Sequence, residues 1–372
     1  MKRLEYQAKA ALAAAGIPVP PGRLLVAPEE AAAAVAEWGA VAVKAQVLSG
    51  GRGKAGAVRF AAAPDEAVAA ARAVAAMTVG GQPVLGVYVE RRLDIRQELY
   101  LAVTTDRSAG RPLLLASARG GVEIESVPEA ELERHLIDPA VGVLPFLGRE
   151  LAEALGLTDP GLARALADLV VRLYRVYRDW DAELVEVNPL AVTPEGLVAA
   201  DARLNLDDSA RFRHPGVEPV PEGTPLERRI RELGLAFVEL EGDIAVLANG
   251  AGMAMATIDT LARFGGRAAN FLDAGGGAGP EPMAQALEAL LTSGPRVLFV
   301  NIFGGITRCD EVAGAVLAAR ERTGSAVPLV VRLAGTRARE GAALLARAGL
   351  PVFADMETAA RRAVALARGE EA

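Results

Sequence analysis

Gly50-Gly51-Arg52-Gly53-Lys54-Ala55-Gly56 sets two cations among four glycines, directly after an apolar run that contains Lys44. Glycines let main-chain N–H groups come close to an anion, and the cations add charge, so the segment suits phosphate. Ala55 follows Gly53-Lys54, so no hydroxyl is available for Mg2+ and this is not a Walker loop. A second strand, not a helix, follows it, and the dinucleotide fingerprint fails too. What remains is a phosphate-covering flap between two strands, with Lys44 aimed at the same space. Taken alone, the same residues serve equally as a surface hairpin with a basic tip.

Glu186, Asn188 and Asp201 form a second constellation. Residues two apart on a strand share a face, and the turn Thr193-Pro194-Glu195-Gly196 folds the next strand back to bring Asp201 alongside. Hard oxygen donors of this kind suit Mg2+, which takes the rest of its shell from water and phosphate. The alternative is a solvated sheet face. A third set, Asn249-Gly250-Ala251-Gly252, Gly275-Gly276-Gly277-Ala278 and Gly304-Gly305-Ile306-Thr307, marks strand ends that open onto helices. There the first N–H groups and the helix dipole favour anions such as carboxylate or phosphate. His135 and His214, the only histidines, lie in no glycine loop and beside no nucleophile, and Cys309 reads as a small, partly buried thiol.

The elements that must carry these residues follow from composition and periodicity. The chain has 372 residues, 52% hydrophobic and 23% charged, which is enough for two or three domains with full cores. A single cysteine rules out a disulfide framework, and a net charge of −7 argues against general nucleic-acid affinity. No apolar stretch is long enough to span a bilayer. Glu5, Gln7 and Lys9 interrupt any secretory core, so the N-terminal segment reads as the first helix of a cytoplasmic protein. Only four lysines (Lys2, Lys9, Lys44, Lys54) and five asparagines (Asn188, Asn205, Asn249, Asn270, Asn301) occur, which makes each that remains in or beside a glycine loop more informative.

In the second half, five apolar runs starting at Ile244, Ala268, Val297, Pro328 and Pro351 alternate with five amphipathic helical patterns. That is an open, doubly wound parallel sheet, which binds ligands beyond the carboxyl ends of its strands. The first half is α+β: a helix from Leu4, a second near Pro28 to Trp38, strands at 41–46, 57–60, 84–90, 98–105 and 111–118, helices at 66–76 and 162–179, and a hairpin of 182–192 with 197–206. Four prolines between Arg211 and Pro225 mark a linker, and a helix over 227–239 straddles a boundary near residue 235. The expected domains are 1–235 and 236–372.

These residues resemble a known family along nearly the whole chain. Leu4-Glu-Tyr-Gln-Ala-Lys9, Gly16-Ile-Pro-Val-Pro20, Val43-Lys-Ala-Gln-Val47 with the flap, Gly120-Gly-Val-Glu-Ile-Glu125, Glu186-Val-Asn-Pro-Leu190, Asn270-Phe-Leu-Asp-Ala-Gly-Gly-Gly277 and Asn301-Ile-Phe-Gly-Gly-Ile-Thr-Arg-Cys-Asp310 look like the beta subunits of succinyl-CoA synthetase (succinate–CoA ligase). The resemblance implies an N-terminal ATP-grasp domain followed by a flavodoxin-like, CoA-ligase domain. It implies that Lys44, Gly51, Arg52 and Gly53 contact nucleotide phosphates, and that Glu90, Leu93 and Glu98 line the nucleotide site. Asn188 and Asp201 would ligate Mg2+, and Glu186 would face a visiting phosphohistidine. Asn249, Gly305, Ile306 and Thr307 would serve the substrate side.

The implied reaction converts succinyl-CoA, phosphate and ADP or GDP to succinate, CoA and the triphosphate, the substrate-level phosphorylation of the tricarboxylic acid cycle. The phosphohistidine and the CoA site belong to a partner alpha subunit. Ala57, Arg59, Ala334 and Arg337 depart from the residues common in that family. Close relatives use malate instead of succinate, and the N-terminal half alone does not tell the two apart. Two rival readings are a self-sufficient ATP-grasp ligase joining a carboxylate to an amine, and a non-catalytic nucleotide-binding module. The second anion crevice favours the ligase beta subunit.

Overall fold

The strand Val41–Gln46 is buried at every position, and Ile244–Ala248 likewise. Each needs cover on both faces, and each is the centre of a different unit. The computed structural model describes residues 1–275 and 278–370. It divides into two compact units, Met1–Val220 and Pro221–Ala372.

The division falls upstream of residue 235 because the helix near it belongs wholly to the second unit. That helix is Pro225–Glu232, shorter than its sequence pattern suggests. Thr224 caps it, accepting from the Glu227 N–H at 3.1 Å, and Gly234 ends it at φ +78°. A left-handed residue past the last turn suits glycine, which has no Cβ to clash. The chain then returns as a strand, Ala236–Glu239, antiparallel to Asn270–Asp273, where the sequence pattern had continued the helix.

The first unit holds two main sheets. Gly22–Leu25, Gly86–Arg91, Val41–Gln46 and Val58–Ala61 lie in that order, all antiparallel. Small residues such as Ala31, Ala34, Ala67 and Ala71 bring two helices close onto this sheet. The second sheet orders Gly196–Ala199, Ala182–Thr193, Gln97–Asp106, Arg111–Ser117 and Glu133–Leu136, with Arg203–Leu206 also pairing to Ala182–Thr193. The helix Pro160–Asp179 covers it with Leu166, Leu169, Val170, Leu173 and Val176, spaced along one face. Asp159 caps that helix and Pro160 occupies its first turn. The expected single strand 197–206 is broken at 200–202, between its two halves.

In the second unit the parallel strands run Asn270–Asp273, Ile244–Ala248, Val297–Gly304, Leu329–Gly335 and Val352–Phe353, in the order 2-1-3-4-5 of a flavodoxin-like sheet. Ala236–Glu239 adds an antiparallel edge. Two separate apolar clusters, one on each face, make it doubly wound. The first two parallel strands share only one ladder pair, Ala248 with Asp273. The buried Asn270 side chain bridges the gap: its oxygen accepts from the Val246 N–H at 3.0 Å and its amide donates to the Val246 carbonyl at 2.7 Å.

Candidate functional site

All ten residues singled out in the first half line one cavity of about 950 Å³ in the first unit. Lys44 comes from a central strand, Gly51, Arg52 and Gly53 from the flap, and Glu90 from the neighbouring strand. Leu93 lies in the connection between the two sheets, Glu98 at the start of the second, and Glu186, Asn188 and Asp201 on or beside its longest strand. The flap is exposed around Arg52 and closes on itself through Ala55 N–H to Gly51 O at 3.1 Å and Ala57 N–H to Arg52 O at 2.9 Å. Lys54, which also lines the cavity, is largely exposed, with its ammonium 3.3 Å from Glu123.

The floor of the cavity is ionic and buried. Lys44 Nζ donates to Glu5 Oε1 at 2.9 Å and to the Ala200 carbonyl at 2.7 Å, and lies 2.7 Å from Glu90 Oε1. Lys9 Nζ contacts the same three groups: Glu5 at 2.8 Å, the Ala200 carbonyl at 2.7 Å, and Glu90. Arg52 donates through Nη1 to Glu5 Oε2 and to the Ala45 carbonyl, and through Nη2 to both oxygens of Asp201 at 2.7 Å. Burial alone would push the Glu5 carboxyl up, but Lys44, Lys9 and Arg52 outweigh it and hold it well below the usual carboxylate range. Burial works against the charge on Lys44, yet Glu5, Glu90 and Asp201 raise it above its ordinary value. Arg52 is raised in the same way by Asp201 and Glu5. These groups stay charged across the physiological range, so they can position and neutralise but not shuttle protons.

Glu186 differs. Burial pushes its carboxyl up; Arg203 pulls it back, and Asp201 and Glu125 add to the rise. Asn188, two residues along, accepts from the Gly121 N–H at 2.7 Å and donates to the Val122 carbonyl at 2.9 Å. Gly120 must be glycine here, because a Cβ would run into the Leu99 main chain. Asp201 sits in the break between the two short strands, opposite Asn188. The Ala200 N–H donates to Pro189 O at 3.1 Å there, while the Ala200 carbonyl goes to the two lysines instead of a strand ladder.

Among the described residues no group of three or more His, Cys, Asp or Glu is arranged to hold an ion. One carboxylate and one amide oxygen fit a hard cation that brings most of its own shell, as Mg2+ does on a polyphosphate. They do not make a cage for a metal held by protein alone.

In the second unit the chemistry sits at the carboxyl ends of the parallel strands. Asn249 clamps the neighbouring strand end: its amide donates to Phe303 O and its oxygen accepts from Phe303 N–H, both at 2.8 Å. This fixes the approach to Gly305, Ile306 and Thr307. Ile306 is 81% exposed, whereas Thr307 is buried and donates to the Gly275 carbonyl at 3.2 Å. Thr336 donates to Gly305 O at 2.8 Å from the next strand end. Asp273 accepts from the N–H groups of Gly250 and Gly275 at 2.5 and 2.7 Å, tying two of the glycine turns together. Gly276 and Gly277 lie outside the described residues.

The side chains passed over as bland stay so. Cys309 is buried, donates to the Ala334 carbonyl at 3.3 Å, and has its thiol pushed up by burial. His214 stacks on Trp180 and pairs with Asp181 at 2.9 Å. Glu5 and Lys9 are the members that sequence reasoning missed. Their one signal was the rarity of lysine: two of the four, Lys9 and Lys44, meet in this floor.

The ATP-grasp domain family matches residues 2–192, and the CoA-ligase family matches residues 247–366. The succinate–CoA ligase (ADP-forming) subunit beta of Rubrobacter xylanophilus is 47% identical over 380 residues, covering 99% of each chain. Its namesake from Ignicoccus hospitalis is 43% identical, covering 99% of this chain and all of its own. The ATP citrate lyase of Methanothrix soehngenii, solved with citrate and coenzyme A, shares the fold at a TM-score of 0.72 over 99% of each chain, with 24% identity.

Proposed function

The chain belongs to the succinate–CoA ligase beta-subunit family, and from that membership we propose the role of each unit and residue. With an alpha subunit it interconverts succinyl-CoA, phosphate and ADP with succinate, CoA and ATP. The first unit holds the nucleotide and the second contributes to the succinate and phosphate site. We read it as a cytoplasmic enzyme of the tricarboxylic acid cycle, a setting that suits its lone buried thiol.

The observation that carries this reading is the convergence of Lys44, Arg52, Glu90, Glu98, Asn188 and Asp201 on one cavity of about 950 Å³. That is room for a nucleotide, and Lys44 and Arg52 both face Glu5 in its floor. Phosphoryl transfer asks little covalent chemistry of the protein, so fixed charges and exact placement are the tools required. Lys44 and Arg52 neutralise the phosphates, with Gly51 and Gly53 letting the flap approach them. Glu90, Glu98 and the Leu93 main chain line the rest of the nucleotide. Mg2+, when bound, would draw charge from the transferring phosphoryl group, and Asn188 with Asp201 would hold it.

Glu186, half-buried and raised, faces the cavity where a phosphorylated group from the partner must enter. Asn249, Gly305, Ile306 and Thr307 offer N–H groups and a helix start to the substrate side.

The test is to assay the chain alone and co-expressed with its alpha subunit. Release of CoA should require both chains, ADP, phosphate and a divalent metal, and Asp201→Ala should lose it. Brisk turnover by the single chain, or ATP consumption driven by a small amine, would overturn the reading.

A further inference from the structure

We infer that Glu5 is a positioning residue for the polyphosphate: its buried carboxylate aims Arg52 and seats Lys44, with Lys9 as a permanent counter-charge. The inference rests on reading this cavity as the nucleotide site. Glu5 lies on the first helix, Glu5–Ala14, which packs on Arg203–Leu206 and on the long helix Pro160–Asp179. Its side chain is 2% exposed, and both oxygens are engaged. Oε1 takes Lys9 and Lys44, and Oε2 takes Arg52.

The contacts divide into a fixed part and an exchangeable part. Each lysine ammonium has three hydrogens and three acceptors: Glu5, Glu90 and the Ala200 carbonyl. The box of two ammoniums, two carboxylates and one carbonyl is therefore saturated. Arg52 is different. Glu5 and the Ala45 carbonyl fasten its Nη1, so that Nη2 is left facing Asp201. Asp201 is 35% exposed, against 2% for Glu5, and is the partner that solvent and ligand can reach. A polyphosphate entering the cavity can replace Asp201 on Nη2 without disturbing Nη1. Glu5 thus supplies the half of the guanidinium contact that persists, and that half fixes where the other points.

A positioning carboxylate and a carboxylate that acts only by its charge have opposite effects on anion affinity. Three carboxylates (Glu5, Glu90, Asp201) balance three cations (Lys9, Lys44, Arg52). If Glu5 acted only through its charge, removing that charge would make the cavity more positive and tighten an anion. If it acts by positioning, removal releases Arg52 and weakens the anion.

The experiment uses the full chain in complex with its alpha subunit. Glu5→Gln keeps the shape and loses the charge; Glu5→Asp keeps the charge and withdraws it by one methylene. Glu5→Gln is expected to raise the KM for ADP by roughly tenfold or more, and Glu5→Asp by about threefold, the scale of one displaced charge-assisted hydrogen bond. The KM for succinyl-CoA should stay within about twofold in both, since that ligand does not meet this box. An ADP KM that is unchanged or lower in either variant overturns the inference, even where thermal stability falls. If Glu5→Gln yields no soluble complex, Glu5→Asp decides. Titration calorimetry with ADP on the same proteins separates the two levels. A wild-type complex that binds ADP but never releases CoA counts against the proposed reaction, while weakened ADP binding in the variants still supports the role of Glu5.

Discussion

Arg52 reaches from the glycine flap to Asp201 with one nitrogen 2.7 Å from each carboxylate oxygen, so a segment of one sheet is tied to a strand break in the other. Besides this, the flap is held by Arg52 Nη1 to Glu5 and the Ala45 carbonyl, by its own turn hydrogen bonds and by the exposed Lys54–Glu123 contact. Asp201→Asn should therefore loosen it. With Asp201 a third exposed, the loss is about 1 kcal/mol, or roughly fivefold in the opening equilibrium. Limited trypsin digestion, reading cleavage after Arg52 and Lys54, should show that acceleration in the nucleotide-free protein. Equal rates would mean the pair does not restrain the flap.

Lys44→Met leaves Glu5 and Glu90 sharing Lys9, with Arg52 still on Glu5, and takes a cation from a buried box. Removing one partner of a buried ion pair costs about 3–5 kcal/mol, because the charge left behind is uncompensated. In a unit of this size that is on the order of 10 °C in the calorimetric transition. A drop of only a degree or two would show that water reaches Glu5.

Asn270→Leu isolates the structural asparagine from the functional ones. It strands the Val246 N–H and carbonyl where the two strands share a single ladder pair. The expected cost is about 2–3 kcal/mol in urea unfolding of the second unit, with the KM for ADP unchanged.

Arg337 holds a left-handed backbone at φ +57°, and its nearest carboxylates, Asp310 and Glu340, are both 3.9 Å away. Such a conformation costs a residue with a Cβ about 1 kcal/mol, and asparagine tolerates it better. Arg337→Asn should raise stability by roughly 0.5–1 kcal/mol, since the exposed ion contacts it gives up contribute little. A lower melting temperature would assign those contacts a larger role.

Glu281 is held down to about 2 by hydrogen bonds from Arg322 and Gln285. Its folded value lies below its unfolded one, so its stabilising contribution is present above about pH 4.5 and is lost as pH falls toward 2. The gap in urea midpoint between wild type and Glu281→Gln should be widest near neutral pH and should narrow below about pH 4.5. It should also shrink in high salt, because the group is exposed. A gap that widens in acid would reverse the sign.

What could be read in advance divides along physical lines. The meeting of Lys44, Arg52, Asn188 and Asp201 on one cavity was legible because residue type and glycine spacing are local signals. Glu5 and Lys9 were not. A Glu and a Lys four apart on a first helix look like any solvated face, and only the packing of that helix against Glu90 and Ala200 buries them. The doubly wound parallel sheet followed from five buried runs and its flavodoxin-like character from the family resemblance, whereas the edge strands Gly22–Leu25 and Glu133–Leu136 carry partly exposed residues and gave no clear pattern. The strand break at Asp201 was invisible too, since its cause is a carbonyl claimed by two distant ammoniums. Asn249 was singled out for a ligand, and its side chain also clamps Phe303 at the head of the loop that follows, a contact that residue type alone did not announce.

That shared carbonyl has an evolutionary corollary. Lys9 and Lys44 both rest on the peptide oxygen of Ala200, 2.7 Å from each. A side-chain acceptor can be erased by a single codon change; a peptide oxygen survives every substitution that keeps the local backbone course. Residue 200 is then free to drift in identity among small side chains while the anchorage it provides is inherited intact, so a comparison of letters alone would overlook one of the site's fixed points.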